Sequence, residues 1–452
     1  MKHSIIFILA LLLSASASFS QMTEDQILGQ ADARIEKHRK GHAILQLVGP
    51  DGKAIESGTA ASIEQTGHAF LFGSNIFWLY GRNFGADSPD FPETEPEKLA
   101  AYIKYYTDML NFATLPFYWW SFEAEEGKTE YDRVDHAIKW CSDNNIVVKG
   151  HPLAWNYIDP SWLSGTPDEV MDLQIKRTGD CVRRFKGTGL TVFDVVNEAT
   201  DYDRTGPREN APLLTAGINA IGVGPYLRQA FTAARTANPD AVLLINDYKS
   251  GEDYRDKVVS ELVDGNGKQM YDVIGIQSHQ HSGAMPLTEL WEICERFAPF
   301  GKPLHFTENT FVSGKQGWDL AKQEEGFEWV STPEGEERQA HDVVRFYTTL
   351  FSHPAVEAIT WWDFSDDRSW MNAPCGFLRA DMSPKPAYTE LKRLIKEKWW
   401  TRTSAPVLSD GIAKVHGFYG QYDVTVTVDG KELSGSFEFD KNTAGLVTVR
   451  LK

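Results

Sequence analysis

The sequence of 452 residues is poor in cysteine, with four in all and no Cys-x-x-Cys pair. Cys141, Cys181, Cys294 and Cys375 are too few and too scattered for a disulfide framework, although one or two disulfides stay open. A phosphate-binding glycine loop and an HExxH pair are also missing, so we expect neither a metal nor a cofactor. The fold must therefore be stabilised by a large apolar core.

Basic residues are outnumbered, since 45 Lys and Arg stand against 63 Asp and Glu, for a net charge of -18. This balance argues against nucleic acid or an anionic membrane as a partner, and it is equally typical of a solvated surface.

Residues 1–20 combine a basic start, a short apolar core and small residues near their end, which is typical of an export signal. We expect a secreted or periplasmic monomer that starts near Gln21, with no membrane span.

Eight short apolar, β-rich runs begin at Phe70, Phe112, Ile146, Thr191, Ala241, Val273, Lys302 and Ala358. Segments with helical periodicity separate most of them, and strands that alternate with helices pair in parallel. Eight such units predict an α/β fold of the (β/α)8 barrel type over residues 70–398. An open parallel sheet is the alternative, but polar and aromatic residues cluster at the ends of the runs, as at the mouth of a barrel.

The segments that flank the barrel are β-rich. Residues 21–69 predict a helix and then a β-hairpin, because two alternating segments surround a Pro-Asp-Gly turn between Gly41 and His68. Residues 399–452 predict a small antiparallel β-domain with Asp-Gly turns. We expect its cluster of His416, Phe418 and Tyr419 to pack as a core rather than to bind carbohydrate.

Two glutamates end apolar runs: Glu198 ends the fourth and Glu308 the seventh. Such a carboxylate is costly to bury unless it is paired or functional, and a structural ion pair would explain either one alone. Strands four and seven lie on opposite walls of an eight-stranded barrel. Cleavage of a glycosidic bond needs an acid and a second carboxylate facing each other, which predicts a glycoside hydrolase that uses Glu198 and Glu308 as this pair.

The motifs KGHPLAW, FDVVNEA, INDY, IGIQSHQH, TEN, WWDFSDDRSW and PKPAY, in this order, resemble those of glycoside hydrolase family 10, the barrel endo-β-1,4-xylanases. The likeness runs from about residue 70 to 396, and GFYGQYDV resembles the tail of plant-type members. The resemblance implies retaining hydrolysis of β-1,4-linked xylan by double displacement, with Glu198 as acid/base and Glu308 as nucleophile. It further implies substrate-binding residues at His151, Trp155, Asn197, Gln277, His279, Trp362 and Trp370, while Asn246 and Asp247 are expected to be structural.

One stretch departs from the family, whose second strand ends in Pro-Glu-Asn-Glu-Met-Lys-Trp. Phe117, Tyr118 and Ser121 stand here in place of three polar sugar ligands, and smaller changes occur at Asn156 and Thr310. Because buried polar contacts select strongly among sugars, the glycone sugar stays open. The substrate is then xylan or another β-linked plant or algal polysaccharide or oligosaccharide, and a carbohydrate-binding protein without catalysis is the remaining alternative. The acidic segment 312–339 either adds a wall to the cavity or is a solvated connection.

Overall fold

The structure, a computed structural model, describes residues 22–83, 95–318, 320, 326–443 and 445–452. The expected export signal lies outside these residues. The strands are β1 (Lys40–Val48), β2 (Ala60–His68), β3 (Leu71–Asn75), β4 (Phe112–Pro116), β5 (Val147–His151), β6 (Leu190–Asn197), β7 (Val242–Asp247), β8 (Val273–Ile276), β9 (His279–Gln280), β10 (Leu304–Phe311), β11 (Val356–Trp361), β12 (Arg402–Pro406), β13 (Ile412–Phe418), β14 (Gly420–Val428), β15 (Lys431–Phe439) and β16 (Leu446–Arg450).

The helices span Glu24–Gly29, Ala31–Arg39, Phe77–Asn83, Pro96–Thr107, Trp119–Phe122, Tyr131–Asp143, Pro167–Arg184, Thr205–Asn210, Pro212–Ile221, Val223–Ala237, Glu252–Tyr254, Leu287–Phe297, Pro333–Ser352 and Pro386–Arg393. Their ends follow sequence signals: Thr166 accepts the backbone N–H of Glu169, whose side chain accepts in return from the Thr166 backbone, and Pro167 occupies the first turn. Within the described residues, no helix is long and apolar enough to cross a membrane.

Eight parallel strands form a closed barrel in the order β3, β4, β5, β6, β7, β8, β10 and β11, and β11 pairs with both β10 and β3. The predicted (β/α)8 barrel is therefore confirmed. Short strand β9 lies beside the end of β10, with His279 paired to Thr310. Because all eight strands point the same way, their carboxyl ends meet at one face of the barrel.

The predicted N-terminal hairpin is wrong, because β1 and β2 belong to different sheets. Strand β1 pairs with β13 and β16, whereas β2 pairs with β12 and β14. The Pro-Asp-Gly turn does form, with the Gly49 N–H bonded to the Lys53 carbonyl at 2.8 Å, but it returns only as far as a bridge between Val48 and Ala54. The chain then passes to the second sheet, so a three-stranded and a four-stranded sheet pack as one β-sandwich built from both flanks of the barrel.

The sandwich core allows a direct test on one strand. Leu45 is fully buried between the two sheets, while its neighbour Ile44 is 40% exposed. We expect Leu45→Ala to lower the free energy of unfolding by about 2–5 kcal/mol, because it leaves a cavity. Ile44→Ala, the matched control, should change it by about 0.5 kcal/mol or less. Urea unfolding curves of the two variants measure the difference. Equal losses of unfolding free energy would mean that Leu45 is not more buried than Ile44.

All four cysteines are buried, and none of them forms a disulfide bond. The one or two disulfides that the sequence leaves open are thus absent from this structure.

Candidate active site

A cavity of about 840 Å³ lies at the carboxyl ends of the barrel strands. Its lining includes the two glutamates and all seven residues expected to bind substrate: His151, Trp155, Asn197, Glu198, Gln277, His279, Glu308, Trp362 and Trp370. These residues come from β5, β6, β9 and β10 and from the segments after β5, β6, β8 and β11. The barrel thus brings together residues that are far apart in the sequence.

Glu198 follows β6 with φ 58° and ψ 43°, a left-handed conformation that is uncommon for a residue with a side chain. Its Oε1 accepts a hydrogen bond from Gln277 Nε2 at 3.0 Å, and its Oε2 accepts one from Trp155 Nε1 at 3.2 Å. The Arg204 guanidinium also contacts Oε2. The carboxyl group is buried, and contacts on both of its oxygens fix its orientation.

Glu308 lies within β10 and is held by neighbours on both oxygens. Asn246 Nδ2 donates to Oε1 at 2.8 Å, His279 Nε2 lies 3.2 Å from Oε2, and His151 Nε2 lies 3.9 Å from Oε1. Burial raises the pKa of Glu308, but His151, the hydrogen bond with His279 and the charge of Lys149 outweigh it and hold that pKa below its ordinary value. Glu308 therefore stays ionised, as a nucleophile requires.

A chain of amide side chains links the two glutamates. Asn197 Oδ1 accepts from Gln277 Nε2 at 3.2 Å and from Asn246 Nδ2 at 2.9 Å. Since Gln277 also contacts Glu198 and Asn246 also contacts Glu308, both carboxyl groups are placed by one hydrogen-bonded network. Asn246, expected to be structural only, contacts the proposed nucleophile directly.

An ion pair inside the barrel lies behind this network. Lys149 Nζ is 2.8 Å from Asp194 Oδ2, and His151 Nδ1 is 2.6 Å from the same oxygen. Burial raises the pKa of Asp194, while Lys149 and His151 lower it, and the balance lies below its ordinary value. Asp194 thus fixes His151, whose other ring nitrogen faces Glu308.

Aromatic rings form the walls of the cavity. His279 stands between Trp362 and Trp370, with ring centroids 5.9 Å and 4.6 Å away. Trp155 stacks on Tyr157 at 4.2 Å. Trp362 is buried, but Trp370 is 38% exposed, which leaves an apolar face open to a ligand. Such flat faces suit pyranose rings.

The three positions that depart from the family have different environments. Phe117 is buried in the core, where it stacks on Phe122 at 5.0 Å, and Ser121 is exposed. Only Tyr118 lines the cavity, with its ring 5.7 Å from that of His151. Burial, together with the charges of Glu308 and Glu198, raises the pKa of Tyr118 well above its ordinary value, so its hydroxyl keeps its proton.

The two smaller departures contact protein atoms. Asn156 donates to the Tyr202 carbonyl at 2.8 Å and to Thr215 at 2.9 Å. Thr310 Oγ1 lies 3.4 Å from His279 Nδ1, on the side of the ring opposite Glu308. Asn156 therefore stabilises a loop, whereas Thr310 acts on the orientation of His279.

Within the acidic segment 312–339, Trp318 lines the cavity and its ring lies 5.7 Å from that of Trp370. Trp329 is buried instead and donates to the Lys315 carbonyl at 2.8 Å. Residues 319 and 321–325 lie outside the described part of the chain. The described part of the segment therefore adds a wall to the cavity through Trp318.

Sequence reasoning missed the carboxylate of Asp363, which lines the cavity together with those of Glu198, Glu308 and Asp367. It accepts the Trp370 backbone N–H at 3.0 Å. Burial raises its pKa to about 7, and the nearby Asp366 charge adds to this effect. The signal was available, because Asp363 ends an apolar run in the motif WWDF, as Glu198 and Glu308 end theirs.

Asp363 predicts a pH effect on stability. In the folded protein the Asp363 carboxyl keeps its proton up to a pH of about 7, whereas an ordinary aspartate loses it near pH 3.8. The folded state therefore binds more protons than the unfolded state between these values, and the stability falls as the pH rises through them. Buried Asp247, whose pKa is also about 7, acts in the same direction. We expect the Tm of Asp363→Asn, relative to wild type, to be higher at about pH 8 than at about pH 4. A difference in Tm that does not change with pH would contradict this.

Comparison with known proteins agrees with this geometry. The sequence profile of glycosyl hydrolase family 10 matches residues 93–394. Anti-sigma-I factor RsgI6 of Acetivibrio thermocellus is 26% identical over 425 residues, which cover 92% of this chain and 48% of that protein. Endo-1,4-beta-xylanase B of Thermotoga neapolitana is 26% identical over 298 residues, which cover 62% of this chain and 78% of its own. The chain thus spans about half the length of the first relative.

Solved structures show the same fold. Xylanase 10B from Thermotoga petrophila RKU-1, in complex with xylobiose, matches with a TM-score of 0.57 at 22% identity, over 73% of this chain and 95% of that one. Xylanase10C from Cellvibrio japonicus matches with a TM-score of 0.58 at 18% identity, over 73% and 71% of the two chains. The profile match covers well over half of the sequence, so the chain belongs to glycosyl hydrolase family 10, and its barrel is a xylanase-like glycoside hydrolase domain.

Proposed function

We propose that this protein hydrolyses a β-1,4-linked xylan-type polysaccharide with retention of configuration. Glu308 is the nucleophile and Glu198 the acid/base residue. The observation that carries the proposal is the pairing of the two buried carboxyl groups in one cavity, joined through Gln277, Asn197 and Asn246. The lowered pKa of Glu308 supports its role as the charged partner.

The reaction has two steps. Glu308 attacks the anomeric carbon, the glycosidic bond breaks, and the leaving oxygen takes the proton of Glu198. Water then attacks the glycosyl-enzyme, Glu198 accepts its proton, and Glu308 is released. Asn246 and His279 keep Glu308 in place through both steps, because each contacts one of its oxygens.

Xylan is favoured by the named xylanases among the relatives, those of Thermotoga neapolitana and Caldicellulosiruptor included. The aromatic faces of Trp155, Trp362 and Trp370 would pack on its sugar rings. We propose further that the protein is exported, on the strength of residues 1–20, and acts as a monomer. Tyr118 in place of a polar ligand leaves another β-linked glycan as an alternative substrate.

Binding without turnover is the second candidate. The contact between Arg204 and Glu198 favours it, because Arg204 occupies an oxygen of the carboxyl group that would have to face the leaving oxygen.

A panel of β-linked glycans, followed by proton NMR during hydrolysis, tests these alternatives together. We expect xylan to be cleaved and the β-anomer of the new reducing end to appear before the α-anomer, since double displacement retains configuration. Appearance of the α-anomer first would contradict the mechanism. If only a different glycan were cleaved, that glycan would be the substrate in place of xylan. Binding without cleavage of any glycan would favour the second candidate.

A further inference from the structure

Arg204 is a cavity residue that the proposed mechanism leaves without a role. It lies between the 3₁₀ turn Ala199–Asp201 and the helix Thr205–Asn210, and its guanidinium contacts Glu198 Oε2. It lies over the Tyr248 ring at 5.1 Å, and its Nη1 donates to the Asp201 carbonyl at 3.2 Å. The planar guanidinium is thus held with one edge toward the acid/base carboxyl.

This contact opposes the first chemical step. Glu198 must turn an oxygen toward the leaving oxygen in order to protonate it, but Arg204 and Trp155 both contact Oε2 and Gln277 contacts Oε1. The other two groups that contact Glu198, Trp155 and Gln277, are uncharged. Arg204 must therefore leave Oε2 as the substrate binds, and its positive charge favours a move to another anion.

The protein's own carboxylates near Arg204 are already engaged. Asp201 Oδ2 accepts the Tyr248 hydroxyl at 2.7 Å and lies 3.5 Å from Lys249 Nζ. Asp203 faces Arg208 at 3.9 Å. The new anion must then arrive with the substrate, through the cavity that Arg204 lines.

We propose, on the basis of the function above, that Arg204 is a specificity-determining residue that binds an acidic substituent of the glycan. Because Glu198 protonates the leaving oxygen, Arg204 beside it faces the sugar on the leaving side of the scissile bond. A guanidinium fork matches the two oxygens of a uronate carboxylate or of a sulfate ester. Binding of this group releases Glu198 from the arginine, so that an acidic substrate completes its own catalytic site.

Matched oligosaccharides test the exchange: a neutral xylo-oligosaccharide, the same chain with a glucuronate branch, and a sulfated one. We expect kcat/KM of the wild type to be about tenfold or more higher on an acidic chain than on the neutral one, as for a hydrogen bond between charged groups. Arg204→Gln should lose this preference by slowing the acidic chain and speeding the neutral one. The sulfated and glucuronate chains distinguish the two sources of the anion.

A purely structural role for Arg204 would not reverse the order of substrates. Arg204→Lys should keep part of the preference for the acidic chain because it keeps the charge, although it loses the guanidinium fork. Equal wild-type rates on neutral and acidic chains, or equal losses on both in Arg204→Gln, would overturn the inference.

Binding provides a readout that does not need turnover. Calorimetry with Glu308→Gln should show tighter binding of the acidic chain than of the neutral one, and the double variant with Arg204→Gln should bind both equally. If the wild type hydrolysed no chain but this binding pattern was seen, the proposed function would be rejected and the assignment of the Arg204 site would stand. Equal binding of both chains to Glu308→Gln would reject the Arg204 site.

Discussion

Glu308→Gln is expected to lower kcat by roughly 10⁴-fold or more while the protein stays folded, because an amide cannot form the glycosyl-enzyme. Glutamine has the same shape, so the core around β10 is preserved. The Asn246 and His279 contacts that now hold the ionised carboxylate would face a neutral group. Initial rates on the best substrate of the glycan panel, and the Tm of the variant, measure the two effects separately.

Glu198→Ala is the matched control, since it removes the other carboxyl group from the same network. With an aryl glycoside whose leaving group needs no proton, this variant should still form the glycosyl-enzyme, and added azide should be trapped as a β-glycosyl azide. Glu308→Gln should show neither behaviour. Hydrolysis close to the wild-type rate by folded Glu308→Gln would assign the nucleophile to another carboxylate of the cavity, with Asp363 as the first candidate.

The barrel and its two glutamates were predictable from the sequence because both follow from periodicity. Parallel strands bring their carboxyl ends to one face, so the eight runs place Glu198 and Glu308 at the same end of the barrel. The expected binding residues lie at those strand ends or in the segments that follow them, and the structure places them in the cavity.

Other features depend on partners that a local pattern does not specify. The alternation in β1 and β2 indicates which faces are buried but not which strands they join, and both strands pair with strands more than 300 residues away. Phe117 and Tyr118 are neighbours, and only the local backbone decides that Phe117 packs in the core while Tyr118 lines the cavity. Arg204 lies in an irregular segment, so its contact with Glu198 has no periodic signal.

Asp194→Ala is expected to lower the free energy of unfolding by about 3–5 kcal/mol, because it leaves the charge of Lys149 buried without its counter-ion. Both side chains are fully buried inside the barrel and their charged atoms are 2.8 Å apart. Asp143, whose carboxylate lies 2.6 Å from Lys139 on the surface, provides the control. Asp143→Ala should cost about 1 kcal/mol or less, since solvent screens an exposed pair. Urea unfolding at neutral pH compares the two variants.

The same pair predicts the response to acid. Because the pKa of Asp194 is lowered in the folded state, its contribution to stability is complete above its ordinary value of 3.8 and is lost as the pH falls through the lower, folded value. The cost of Asp194→Ala should therefore shrink in strong acid. Replacing both residues, as Lys149→Met with Asp194→Leu, should recover much of the loss, because no unpaired charge stays in the barrel. If Asp194→Ala cost no more than Asp143→Ala, the buried ion pair between Lys149 and Asp194 would contribute no more to stability than the exposed pair between Lys139 and Asp143.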